Sequence, residues 1–303
     1  MPTLEKILAE LDGARWFSTI DLSNAFYHVE LDRPSRHLTN FYTEFGVYRC
    51  IRLPFGLCNA PDIFLEVLEK NILGGFKGVV NYLDDVLVHR KTKEEHDANL
   101  AEALARFQSH NVQLNDSKCV HGSQTVKFVG FILTADGWMV EGDIIDAIKN
   151  FRKPTTCSEV KSFLGLVTFT DKFIRNRANK SENLRKLANS VYFYWTSEEE
   201  REFNFLRNDA LNDITKLGYY SVTDDVELFV DASPTGLGLV VVQHNSEGIP
   251  RIIAWLRVKS INCARETQPT NANGSVSRCV GGRVFFVLSL RSLLRHPYRL
   301  GGQ

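Results

Sequence analysis

At 303 residues, 44% hydrophobic and 24% charged, the chain has the makeup of an ordinary folded protein with more than one core. No apolar run nears the roughly 20 residues of a membrane-spanning helix, and the first residues lack signal-peptide character. The cysteines are scattered without zinc-binding or CxxC spacing, which predicts reduced intracellular thiols rather than a disulfide framework. A formal net charge of zero, taken alone, weighs against a nucleic-acid binder.

In chain order, residues 15–22 read as a strand ending in Asp21, and residues 38–53 as a hairpin broken at Gly46. A helix starts at Asn59 with Pro61 early in it, presents Ile63, Phe64, Val67 and Leu68 on one face, and stops at Gly74 and Gly75. Residues 79–83 and 86–88 are two strands about the Asp84-Asp85 pair. Thr92 with Glu95 then caps a helix carrying Leu100, Leu104 and Phe107. Residues 125–133 read as one strand that turns at 135–137 into 138–140. This order predicts an α+β domain on an antiparallel sheet.

Beyond it, residues 143–152, 158–176 and 197–214 read as amphipathic helices, with capping boxes at Thr156/Glu159 and Ser197/Glu200 and a boundary near Pro154. Residues 227–231 and 239–243 read as strands around a turn at 234–238, with another strand over 252–255. Residues 261–303 hold one acid, Glu266, against six arginines and no lysine. Arginine, leucine, serine and glycine dominate there, as in translation of an unintended frame. Shifting the frame of codons that can encode 296–303 gives a segment resembling an aspartate motif.

The informative constellation is Asp21 at a strand end together with Asp84-Asp85 between strands. Aspartate is a poor strand former, and a buried, unpaired carboxylate is costly. A hairpin tip projects one carboxylate from the end of a sheet, and a neighbouring strand adds Asp21. Converging carboxylates repel unless hard cations lie between them, and magnesium, which takes a few carboxylates plus substrate phosphates, is the natural ion. Alone, an Asp-Asp pair is more simply a solvated turn.

Tyr82-Leu83-Asp84-Asp85 resembles the YxDD box of reverse transcriptases, and residues 16–28 resemble the upstream aspartate motif of that family. Residues 52–61 are similar to its LPFGLxNAP segment. Residues 114–119, 128–131 and 162–166 match further motifs in order and spacing, nearest to the Ty3/gypsy type of long-terminal-repeat retrotransposon, from residue 2 to about 260.

The resemblance implies that Asp21 and Asp84 ligate two Mg2+ (or Mn2+) ions, with Asp85 as the flanking acid. It implies that Phe26 is a gate against the ribose 2′-hydroxyl, that Phe55 and Gly56 line the nucleotide and template side, and that Lys118 lies near the triphosphate. Phe128, Val129, Gly130 and Phe131 would grip the primer strand. Without the motif, Phe26 reads as a core aromatic and Lys118 as a solvated lysine. Residues 228–238 resemble the opening strand of the retrotransposon ribonuclease H domain, with Asp231 as its first metal-binding carboxylate.

The resemblance thus implies a reverse transcriptase palm over 1–141 with its fingers largely missing, a helical thumb or connection over 142–220, and the start of a ribonuclease H-like α/β domain over 221–260. Residues 261–303 read as a frameshifted or disordered tail. The expected activity is RNA-directed DNA polymerisation, a nucleotidyl transfer, using a primed RNA or DNA template and deoxynucleoside triphosphates, beside a vestigial ribonuclease H. The rest of a retrotransposon polyprotein would be its partner, in a cytoplasmic virus-like particle or the nucleus. The alternatives are a non-catalytic, degenerate retrotransposon fragment and an unrelated two-metal nucleotide cyclase on a similar palm. The cyclase leaves the thumb-like helices unexplained.

Overall fold

A computed structural model describes residues 3–173, 181–209, 211, 214–233, 236–245, 247–259, 275–280 and 283–289. The chain divides into two units, Met1–Ala135 and Asp136–Gln303. The first opens on helix α1 (Leu4–Glu10), where the Thr3 hydroxyl accepts the Lys6 N–H and Ile7 and Leu8 are buried. Next come strand β1 (Trp16–Asp21), strands β2 (Asn40–Thr43) and β3 (Gly46–Arg49), helix α2 (Ala60–Leu68) and strands β4 (Val79–Tyr82) and β5 (Asp85–Arg90). Helix α3 (Lys93–Ser109) follows, then strands β6 (Val120–Ser123), β7 (Thr125–Phe128) and β8 (Phe131–Thr134).

Four strands form an antiparallel sheet in the order β4-β5-β1-β6. Ile20, Val86 and Val88 pack with Phe64 and Leu68 of α2 and with Ala103 and Phe107 of α3, making one dry core. Strand side chains alternate between faces, so Asp21 and its cross-strand partner Asp85 share the face opposite Ile20 and Val86. A buried polar group ties the same sheet to α3. The Ser18 hydroxyl accepts the Gly122 N–H at 2.9 Å and lies 2.9 Å from His96 Nε2, while His96 Nδ1 is 3.0 Å from Asp97. The Asp97 carboxylate can only accept, so a neutral His96 imidazole carries its proton on Nδ1 and accepts the Ser18 hydroxyl proton at Nε2.

The second unit holds strand β9 (Gly137–Val140) and helices α4 (Gly142–Lys149), α5 (Cys157–Phe169), α6 (Glu182–Ala188) and α7 (Ser197–Asn204). Val160, Phe163, Leu164 and Val167 recur at helical spacing on α5 and bury against Leu184 and Leu187 of α6 and Phe203 of α7. The Glu202 carboxylate of α7 accepts the Asn183 and Leu184 N–H groups at 3.1 and 2.9 Å, capping the positive end of α6. Strand β9 joins this unit because Trp138 pairs with Leu217 and its ring lies 4.6 Å from that of Phe173. Strands β10 (Asp225–Ser233), β11 (Gly236–His244), β12 (Pro250–Lys259), β13 (Ser275–Val280) and β14 (Arg283–Ser289) form a sheet in the order β12-β11-β10-β14-β13, antiparallel in every pair.

Several elements differ from the sequence reading. Residues 125–133 are a hairpin, not one strand, turning at Val129-Gly130, where both φ angles are positive (50° and 78°). A β-branched residue disfavours that conformation, so its presence hid the turn. The last capping box forms one residue earlier than read, with Thr196 as N-cap and Glu199 closing it. Helices α1 and α6 and strand β6 have no counterpart among the sequence-predicted elements, all three being short. Within the segment read as a tail, β13 and β14 are strands, and β14 pairs with β10. Residues 260–274, 281–282 and 290–303, like 174–176 of the expected helix and 234–235 of the expected turn, lie outside the described residues. Among the described residues no helix is long and apolar enough to cross a membrane.

Candidate active site

Asp21 is the last residue of β1, and backbone hydrogen bonds hold that end of the strand on both sides. On one side the Leu22 N–H donates to the Asp84 carbonyl at 3.1 Å, and on the other the Asn115 N–H donates to the Asp21 carbonyl at 2.9 Å. Tyr82 pairs with Asp85, which leaves Leu83 and Asp84 as a two-residue turn, and Leu83 takes φ 53°. A leucine held in the left-handed region is strained by about 1–3 kcal/mol, and such strain gathers at functional sites. The turn therefore delivers Asp84 and Asp85 to the sheet end already occupied by Asp21.

The electrostatics follow from that crowding. Burial, and then the Asp21 charge, push the Asp84 carboxyl above the usual aspartate range. Burial likewise raises Asp85, with Asp21 and Asp84 adding repulsion and Lys118 opposing it. Asp84 Oδ1 is buried and has no hydrogen-bond partner. Lys118 Nζ lies 3.6 Å from Asp21 Oδ2, on a turn closed by the Lys118 N–H to the Asn115 carbonyl. A buried, unpartnered carboxylate oxygen beside two more carboxylates is a donor set that suits a hard divalent cation. Among the described residues, no group of three His, Cys, Asp or Glu side chains is placed to hold one ion together.

The other sequence candidates fall in different surroundings. Phe26 lies on a 3-10 turn (Ala25–His28) introduced by Asn24 at φ 52°. Its half-buried ring sits 5.0 Å from Phe55 and 5.8 Å from Phe64, against the core. Phe55 is exposed, and Gly56 has φ +90° with open space where a side chain would stand. Phe128 and Phe131 are buried, and the Val129-Gly130 turn between them is partly exposed. Asp231 lies on β10, opposite Gly238 of β11 and Phe285 of β14. Asn115 lies within the 114–119 motif, whose sequence implies no role for it. Its N–H fixes the end of β1, a contact that its sequence position alone does not reveal.

The family described as reverse transcriptase (RNA-dependent DNA polymerase) matches residues 1–133. Residues 1–133 belong to the reverse transcriptase family. The chain is 31% identical over 257 residues to the retrovirus-related Pol polyprotein from transposon 412 of Drosophila melanogaster, covering 82% of this chain and 20% of that protein. It is 31% identical over 283 residues to the Pol polyprotein from transposon opus of the same organism, covering 89% and 28%. The Tf2-3 polyprotein of Schizosaccharomyces pombe is 27% identical over 250 residues, covering 82% and 19%. The chain therefore spans 19–28% of the length of these curated relatives.

Among solved structures, the foamy viral protease-reverse transcriptase in complex with an RNA/DNA hybrid matches with TM-score 0.72 and 26% identity, over 84% of this chain and 35% of that one. Its counterpart in complex with double-stranded DNA gives TM-score 0.75 at 26% identity, over 86% and 46%. The mixed architecture of antiparallel sheet and helices is thus that of a reverse transcriptase palm and thumb, from a nucleotidyltransferase family.

Proposed function

We propose that this chain is the palm and thumb of a retrotransposon RNA-directed DNA polymerase, which extends a primer on an RNA or DNA template using deoxynucleoside triphosphates. What carries the reading is Asp21 set beside Asp84-Asp85 at one sheet end, with an Asp84 oxygen left unpartnered. Asp21 and Asp84 would hold the divalent ions, magnesium or manganese, and Asp85 would add negative potential from the same face. When bound, two such ions supply electrostatic stabilisation of the attacking and leaving oxygens.

The residues themselves position and exclude. Phe26, braced by Phe55 and Phe64, would hold a ring edge against the sugar, where bulk rejects a 2′-hydroxyl. Phe55 and the side-chain-free Gly56 would let nucleotide and template approach closely. Lys118, beside Asp21, would place a positive charge near the triphosphate. The Val129-Gly130 turn, anchored by buried Phe128 and Phe131, would press on the primer backbone. Strand β10 would open a ribonuclease H-like domain in which Asp231 is a vestigial ligand. Assembly would be with other parts of a retrotransposon polyprotein, in a cytoplasmic particle or the nucleus.

The test joins binding to activity. Mg2+ or Mn2+ at millimolar levels should raise the melting temperature of the chain, and Asp21→Asn or Asp84→Asn should abolish the rise. Primer extension on an RNA template should be lost in the same variants. A rise that survives both substitutions would place the ions elsewhere. A rise lost in the variants, with no extension by the unaltered chain, would favour the non-catalytic fragment.

A further inference from the structure

A cleft of about 1140 Å³ lies in the first unit between α1, α2 with its continuation Glu69–Leu73, and strand β4. Strand β4 is an edge of the four-stranded sheet. Its register fixes which backbone groups are free. The His89 N–H donates to the Gly78 carbonyl at 2.9 Å, and in an antiparallel ladder the bonded pairs alternate. Gly78, Val80 and Tyr82 therefore spend their peptide groups on β5, while those of Val79 and Asn81 point outward. Both residues line the cleft.

Two more observations point to an occupant. Asn81 is only 8% exposed, and its carboxamide makes no hydrogen bond among the described residues. That leaves a nearly buried amide at the cleft with its hydrogen-bonding capacity unspent on the protein. The edge also lacks the usual protection, for β4 carries no charge, no proline and no bulge. The walls carry Glu10, Asp62, Glu66 and Glu69 against Lys6 and Lys77, with Glu66 also paired to Lys70 one helical turn on.

We propose that the outer edge of β4 accepts an extended, lysine- or arginine-bearing segment of a protein partner as a fifth strand. Val79 and Asn81 would exchange backbone hydrogen bonds with it, and the Asn81 carboxamide would bond to it. Acidic residues along α2 would select its basic side chains. The site is independent of the polymerase reading, since it uses none of the residues placed at the carboxylate cluster.

The probe is a fluorescein-labelled hexapeptide of alternating lysine and valine, titrated into the full chain and followed by anisotropy. Saturable binding is expected, with at least tenfold weaker binding of a glutamate–valine peptide. Val79→Pro removes an outward N–H and none of the β4–β5 bonds, so it should weaken binding tenfold or more. Glu66→Lys combined with Glu69→Lys alters only the wall and should reverse the preference between the two peptides. If Val79→Pro loses its circular dichroism signature of folding, the charge-reversed variant decides alone. No saturable binding by the unaltered chain, equal binding of both peptides, or an unchanged preference after charge reversal would each overturn the proposal.

Discussion

Asp84 is held where a carboxylate is uncomfortable, half-buried beside Asp21 in a turn with a strained leucine. Its folded pKa lies above the unfolded value, so at neutral pH the charged form costs the folded state stability, and that cost fades as pH falls through the raised value. Asp84→Asn should therefore raise the melting temperature at pH 7 without divalent ions, by roughly 1–3 °C. The gain should shrink towards zero near pH 4. Melts at the two pH values check this, and a lower melting temperature at pH 7 would contradict the assigned electrostatics. The adjacent Asp-Asp pair and its motif were legible in the sequence. The burial of one oxygen without a partner was not, because it depends on the strand that arrives from residues 16–21.

Among elements, the β7–β8 hairpin and strand β5 make opposite demands. The hairpin turns on Val129 and Gly130 with both φ angles positive, a geometry that favours Asn-Gly. Val129→Asn should stabilise the chain by about 1 kcal/mol in urea unfolding, relieving a β-branched residue from a left-handed conformation. A loss of stability there would mean that the valine side chain packs in a way that outweighs its strain. On β5, burial, with Arg90 and His96 nearby, lowers the His89 imidazole from 6.5 to about 4, and its Nε2 is buried without a partner. The unfolded chain thus binds a proton that the folded chain refuses. The contribution is fully present above pH 6.5 and is lost as pH falls towards 4, by about 3 kcal/mol at most. His89→Gln should flatten the fall in stability across that window relative to the unaltered chain. Equal slopes in the two proteins would show that His89 is already protonated or solvated when folded.

For the whole molecule, the two units bring different inventories of carboxylates. The first gathers three at one sheet end. The second offers Asp231 alone from the expected ribonuclease H motif, Asp225 and Glu227 standing earlier on β10, and residues 261–303 add only Glu266 among six arginines. One carboxylate does not hold two divalent cations against water. The purified chain should therefore leave an RNA–DNA hybrid uncleaved with magnesium or manganese, and Asp231→Asn should change nothing. Cleavage that disappears in Asp231→Asn would restore a working ribonuclease H.

The sequence by itself determined the family and the main order of the first unit. Runs such as 16–28, 52–61 and 82–85 are contiguous and chemically distinctive, and alternation or helical spacing reports local structure directly. It determined less where a feature is short or depends on distant contacts. The Val129-Gly130 turn, helices α1 and α6, and the place of β9 beside Leu217 and Phe173 came only with the tertiary structure. Tertiary structure alone also decided that Asn115 fixes the end of β1 and that Phe26 is braced by two other rings. Hydrogen bonds and packing between residues tens of positions apart leave no periodic trace along the chain, and it is they that turn separate motifs into one carboxylate cluster.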